Sequence, residues 1–351
     1  MNKMTSEKII FLNFLMSCFM VCYHTISIND SYALNTWDVR FARGFGNVFS
    51  VMGSFAMCYF FFITAYLLFR NYELKDYKRK MKRRFFSLLI PYVAWQIIIT
   101  FIDILQKQYI FEKTDFLFRT FLIQKYPLDG PLWYVLAMFL LALISPILLL
   151  MLKEKKVGWG FIMIVSILTQ VMYKLPFKIV QDILQFGVMD NVIYYLPCYL
   201  VGAFYGKYEE NLHPQNLLGY ILLLLGVSYF LEGFIPSLFG VMTKMMLPVF
   251  MFFLIPSFNN FKLLKVYNLT FLMYAIHQPL INDLWDGMFK FYIKQNFSVT
   301  VYNVGSRFVI LLLTLSVSAL IYFILSCISP MFLGILTGGR QTVVQRNIST
   351  N

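Results

Sequence analysis

Residues 47–69 read NVFSVMGSFAMCYFFFITAYLLF, with no charged side chain, and residues 70–84 continue RNYELKDYKRKMKRR. About 20 apolar residues suffice for a helix to cross the hydrocarbon core, so the first stretch predicts a membrane span. The second places Arg70, Lys75, Lys78, Arg79, Lys80, Lys82, Arg83 and Arg84 directly behind it. Basic residues collect on the cytoplasmic side of membrane proteins, so the two stretches together give a span and its direction. The same reading, carried along the chain, predicts about ten spans. They fall near residues 8–27, 47–69, 86–103, 131–152, 157–174, 190–206, 216–232, 239–257, 267–283 and 305–329. These segments are continuously apolar rather than alternating, which argues against barrel strands. The expected fold is an all-α polytopic membrane helix bundle with N-terminus and C-terminus both cytoplasmic.

Composition agrees. Of 351 residues, 59% are hydrophobic and only 13% are charged, where a soluble domain carries about 25% charged. The 38 Phe and 23 Tyr residues suit lipid-facing helices and the interfacial aromatic belt. The net charge of +13 sits between apolar runs rather than on a soluble surface. It therefore reads as orientation and contact with membrane lipids, and no nucleic-acid partner is expected. Cys18, Cys22, Cys58, Cys198 and Cys327 lie inside apolar segments without a CxxC pair, so they read as packing residues, with neither disulfides nor a metal site. Lys3 and Lys8 precede an apolar stretch over residues 9–23 that lacks a small-x-small cleavage site, and it reads as an uncleaved first helix. In the outer loop at 104–130, residues 115–125 read as a short interfacial helix. Residues 1–336 are expected to form one membrane domain, and 337–351 a disordered cytoplasmic tail.

Ionisable residues inside a membrane are costly and tend to be functional. The chain has three histidines. His213 precedes Pro214 in a loop and reads as a solvated surface residue. His24 ends the first span and His277 lies in the ninth. Both spans run outward in the expected topology, so both histidines fall in the outer half of the membrane. Asp30 and Asp283 each follow a histidine by six residues, about 9 Å along a helix axis though not on the same face. Asp38 follows close behind. Histidine is the natural general base at neutral pH, so the group is a candidate proton-handling site. The competing reading is a pair of buried, hydrogen-bonded structural histidines. The block from Arg70 to Arg84 orients the chain, yet arginine's planar fork also matches phosphate oxygens. Trp133 and Tyr134 suit either a sugar-stacking surface or the interfacial belt. GxSxG, Walker A, GxGxxG and HExxH motifs are all absent from the sequence, which leaves the common hydrolase, ATPase and zincin chemistries unsupported.

Five local patterns resemble the integral membrane acyltransferase family three, whose members acylate bacterial surface and secreted carbohydrates. They are Val21-Cys22-Tyr23-His24, Phe60-Phe61-Phe62-Ile63-Thr64-Ala65-Tyr66-Leu67, Arg83-Arg84-Phe85-Phe86-Ser87-Leu88-Leu89-Ile90-Pro91-Tyr92, Gly130-Pro131-Leu132-Trp133-Tyr134 and Leu272-Met273-Tyr274-Ala275-Ile276-His277-Gln278-Pro279. The likeness spans roughly residues 5–330, and its order and spacing carry more weight than any one pattern. Two departures stand out: Leu12-Asn13-Phe14-Leu15 lacks the arginine many members carry there, and Ala65 stands where glycine is common.

The resemblance implies a bacterial cytoplasmic-membrane O-acyltransferase. Its donor would be acyl-CoA, with acetyl-CoA as the family-level expectation, and its acceptor a glycan hydroxyl. No permanently bound cofactor is implied. By the same resemblance, Arg70, Arg83 and Arg84 would hold CoA phosphates. His24 would deprotonate the hydroxyl, Asp30 or Asp38 would orient it, and His277 would share the site. Trp133 and Tyr134 would meet the sugar. A homo-oligomer or polysaccharide-assembly partners are compatible with this reading. The residues alone also fit a polysaccharide transporter or polymerase-like protein without acyl chemistry, although neither large arginine-bearing outer loops nor internal repeats are visible.

Overall fold

The computed structural model describes residues 3–25, 37–121, 126–172, 178–184, 188–208, 265–285 and 298–339, with isolated positions 186, 240, 242, 243, 246, 248, 249 and 252. Among these residues every regular element is a helix. In chain order the α-helices are α1 (Lys3–His24), α2 (Trp37–Phe69), α3 (Tyr77–Arg84), α4 (Ile90–Leu105), α5 (Lys113–Thr120), α6 (Trp133–Leu143) and α7 (Ser145–Met151). They continue with α8 (Lys155–Met172), α9 (Lys178–Leu184), α10 (Met189–Tyr208), α11 (Thr270–Ile276), α12 (Asn282–Trp285), α13 (Val299–Ile328) and α14 (Pro330–Thr337).

Among the described residues, five helices are long and apolar enough to cross a membrane: Ser6–His24, Trp37–Phe69, Leu74–Leu105, Lys155–Met172 and Val299–Ile328. A sixth span results if Gly130–Leu143 and Ser145–Met151, bent by 60°, count as one. The break falls at Ser145-Pro146, where proline removes a backbone donor and crowds the preceding turn. The expected spans at 216–232 and most of 239–257 lie outside the described residues. The expected span at 190–206 is helical as α10, but Pro197 to Gly206 of that helix are buried in protein.

The packing centre is the α2–α10 contact. A Cβ added at Gly202 would come within 2.1 Å of the Phe62 carbonyl oxygen, and one at Gly206 within 2.4 Å of that of Tyr66. Two glycines four residues apart let two backbones touch, the small-residue packing that membrane helices favour where lipid gives no hydrophobic drive. Tyr59, Phe61, Phe62, Tyr66 and Phe69 fill the space around this seam, each fully buried.

Two π-helical turns interrupt the described helices. Phe85–Leu89 joins α3 to α4 just before Pro91, and His277–Ile281 joins α11 to α12 around Pro279. Such turns relieve a proline's missing donor, and they gather at functional sites. After α13 the chain folds back as α14, whose N-terminus is capped by the Ser329 hydroxyl accepting from the Phe332 amide. The Trp95 indole donates to the Leu336 carbonyl at 3.1 Å. Gly338 takes a left-handed conformation (φ 65°) so close to Ser87 that a Cβ would lie 2.4 Å from its carbonyl oxygen. Thr337 and Gly338, the start of the expected tail, are thus placed against the bundle, and residues 340–351 lie outside the described residues. The helix expected at 115–125 runs over Lys113–Thr120.

Candidate functional site

Helix α1 ends at His24, where the last carbonyls lack helical partners. Three are taken up from elsewhere. Arg307 Nη1 donates to Cys22 O at 2.5 Å and to Thr25 O at 3.3 Å. Asn282 Nδ2 donates to His24 O at 3.0 Å. The His24 ring, half-buried, lies 5.2 Å from the His277 ring at an interplanar angle of 50°. The two histidines that the sequence singles out, 253 positions apart by subtraction of their numbers, therefore meet.

His277 is fully buried, at the point where α11 gives way to its π turn. Gln278, preceding Pro279, is extended (φ −145°, ψ 132°), as a residue before proline prefers. His277 Nδ1 lies 2.8 Å from Tyr274 O and 3.2 Å from Met273 O. Carbonyls only accept, so Nδ1 carries the proton and Nε2 keeps its lone pair. That Nε2 is buried without a hydrogen-bond partner among the described residues. Nε2 is therefore the ring atom left to accept a hydrogen bond, next to a second imidazole.

A cavity of about 390 Å³ is lined by neither histidine, but Tyr274 borders it. Its polar lining includes Asn13, Thr64, Arg84, Tyr134, Asn268 and Tyr274, and its apolar walls include Ile63, Leu67, Val135 and Met138. Arg84 Nη2 donates to Thr64 O at 3.4 Å. The Tyr134 hydroxyl donates to Phe60 O at 2.9 Å and so receives the Thr64 hydroxyl at 2.8 Å. Tyr274 donates to Pro131 O at 2.8 Å, and its ring is 5.6 Å from that of His277. Tyr274 thus stands between the cavity and the histidine pair. A second, more open groove of about 440 Å³ is lined by Arg79, Lys82, Arg83, Phe86, Ser87 and Gly338. Successive helical residues diverge by about 100°, which sends Arg83 to the groove and Arg84 to the cavity. Thr337 lines the cavity and Gly338 the groove, so the end of α14 lies between the two spaces.

The remaining predicted site residues are placed less centrally. Arg70 lines neither space, and its guanidinium lies 6.0 Å from the centre of the Tyr66 ring. Asp38 is engaged at the N-terminus of α13, where its Oδ2 accepts from the Thr300 amide at 3.3 Å, a favourable place for a carboxylate. Trp133 is half-buried with its ring 6.2 Å from that of Phe61. Asp30 lies outside the described residues. Three further polar side chains belong to the site's surroundings: Arg307, Asn282 and Asp129, the last fully buried directly before the Gly130-Pro131-Leu132-Trp133 stretch. For Arg307 the signal is an arginine inside an apolar run.

These features define a helical membrane protein with a histidine pair and, across Tyr274 from it, a cavity that Arg84 helps to line. The chain belongs to the acyltransferase family 3, whose profile, described as an acyltransferase domain, matches residues 9–340. It is accordingly a membrane acyltransferase, and every candidate residue named above falls within the matched range. No curated protein and no solved structure matches the chain.

Proposed function

We propose that the protein moves an acyl group, acetyl first among the candidates, from cytosolic acyl-CoA to a hydroxyl of an extracytoplasmic or lipid-linked glycan at the bacterial cytoplasmic membrane. The observation that carries this reading is the His24–His277 pair, separated by Tyr274 from a cavity whose lining includes Arg84. Arg83 in the groove and Arg84 at the cavity suit the separated phosphates of a CoA donor, with Arg70 supporting the same basic face. Trp133 and Tyr134 offer aromatic faces to a sugar ring.

In this reading His24 takes the proton from the sugar hydroxyl as its oxygen attacks the thioester carbonyl carbon. The C–O bond forms, the C–S bond breaks, and the CoA sulfur leaves with the electron pair. The proton on the imidazole then returns to that sulfur. His277, with its lone pair on Nε2, shares the proton with His24. Asp30 is the candidate carboxylate for orienting His24. Asp38 acts at a distance, by fixing α13 against α2. The glycan acceptor and the membrane lipids are the partners this reading requires. Homo-oligomers and polysaccharide-assembly partners are compatible with it.

The test is NMR of the surface polysaccharide from cells with the intact protein, with His24→Ala, and with none. The expected result is loss of O-acyl signals in both defective strains at unchanged polymer yield. Loss of a general base lowers a rate by about 10²–10⁴, enough to remove the signals. A collapse of polymer yield with acylation per sugar unchanged overturns the reading in favour of a transporter or polymerase.

A further inference from the structure

We propose that Arg307, with Asn282, is a positioning residue that fixes the His24 imidazole against His277. The inference rests on the reading of His24 as general base. Arg307 is 3% exposed inside a membrane-crossing helix, a costly place for a cation. Among the described residues no carboxylate lies within ion-pair distance of it. Its cost is offset instead by backbone oxygen. Nη1 bonds the carbonyls of Cys22 and Thr25, which flank His24 on both sides, while Asn282 bonds the carbonyl of His24 itself.

A cation at a helix C-terminus also meets the negative end of the helix dipole. The guanidinium also sits over the Phe49 ring, its central carbon 5.1 Å from the ring centre. Asn282 belongs to the same short segment as His277, just past its π turn. The segment that carries one histidine therefore holds the backbone of the other, and α13 completes the clamp. A lysine offers a point charge on a flexible stem and cannot reproduce the planar fork.

The test uses the full-length protein in lipid nanodiscs, acetyl-CoA as donor and glycan from cells lacking the gene as acceptor. Arg307→Met is expected to lower kcat by about 10² with KM for acetyl-CoA unchanged, and Arg307→Lys to recover about tenfold of that loss. In a His24→Ala background neither substitution lowers the residual rate further, because residues acting through one group are not additive. A residue that only packs α1 against α13 would lower both backgrounds alike, and that result overturns the proposal. So does wild-type kcat in both Arg307 variants. If Arg307→Met fails to insert, Arg307→Lys and Asn282→Ala carry the same comparison. Full activity of His24→Ala sinks the general-base reading by itself, and with it this inference. No transfer by the wild-type protein overturns the proposed donor and acceptor together.

Discussion

Asp129 is 0% exposed, and neither of its carboxylate oxygens has a hydrogen-bond partner among the described residues. Burial holds its carboxyl well above the usual carboxylate range; the nearby Leu132 amide, which donates to the Asp129 backbone carbonyl at 3.2 Å, pulls the other way, and the Asp103 charge pushes it further up. The unfolded chain releases this proton near about pH 3.9, whereas the folded chain keeps it. The stability contributed is fully present below that pH and is lost as pH rises through the folded value. Asp129→Asn, which cannot ionise, is therefore expected to raise the thermal midpoint relative to wild type at pH 8, with the difference shrinking toward pH 4. Thermal unfolding in detergent across this range checks it, and a pH-independent difference would show that the site holds no buried proton. At His277 the two ring nitrogens separate packing from chemistry. Asparagine can place its amide donor where Nδ1 stands but has nothing at Nε2. His277→Asn is expected to insert normally and to lose at least about tenfold in transfer rate; unchanged transfer would leave His277 a structural residue. The two histidines were legible in the sequence because ionisable groups are scarce in apolar runs. Their common depth, and so their candidacy as one site, was legible too, but the ring contact itself was not, since nothing in a linear pattern says which spans touch. Arg307 carried the same signal, yet it falls at the edge of the predicted span 305–329, where a cation reads as a flank. The helix starts at Val299, which carries Arg307 roughly 12 Å inward along the axis.

Helices α2 and α10 show how an element's role departs from its hydropathy. The predicted span 47–69 sees only the apolar part of a helix that begins at Trp37, because Asp38, Arg40 and Arg43 break the apolar run without breaking the helix. The apolar stretch at 190–206 reads as one more span; it is helical as α10, and its buried half packs against α2. The signal for that role is spacing, Gly202 and Gly206 one helical turn apart, and not hydrophobicity. At Gly202 even one methyl group must displace the Phe62 carbonyl. Gly202→Ala is therefore expected to destabilise the protein by about 1–3 kcal/mol, the usual range for overpacking. Gly160→Ala in α8, where a Cβ meets nothing within 4 Å, serves as the neutral control. Thermal midpoints and yields of the two variants check this, and equal behaviour would mean that α10 can slide outward at little cost.

Across the whole molecule, the basic groove, the cavity and the histidine pair follow one another, with the end of α14 between the first two and Tyr274 between the last two. A thioester bound by its phosphates at Arg83 and Arg84 has to reach the histidines through the cavity if the proposed chemistry holds. This makes the apolar wall a separable part of the machine. Leu67 lines the cavity, makes no polar contact that the site needs, and is 39% exposed, so a larger side chain has room to fold. Leu67→Trp narrows the passage while leaving Arg84 and both histidines in place. It is expected to cut acyl transfer by at least about tenfold, since misplacing reactants by about 1 Å costs up to 10², while insertion is unchanged. Arg84→Gln removes the phosphate contact proposed at the other end and is expected to raise the KM for acetyl-CoA with a smaller effect on kcat. Acetyl-CoA titrations of the two variants in nanodiscs separate the effects. Wild-type kinetics in Leu67→Trp would mean that the donor reaches the histidines by a route outside this cavity, and the phosphate contacts would then have to be sought away from Arg84.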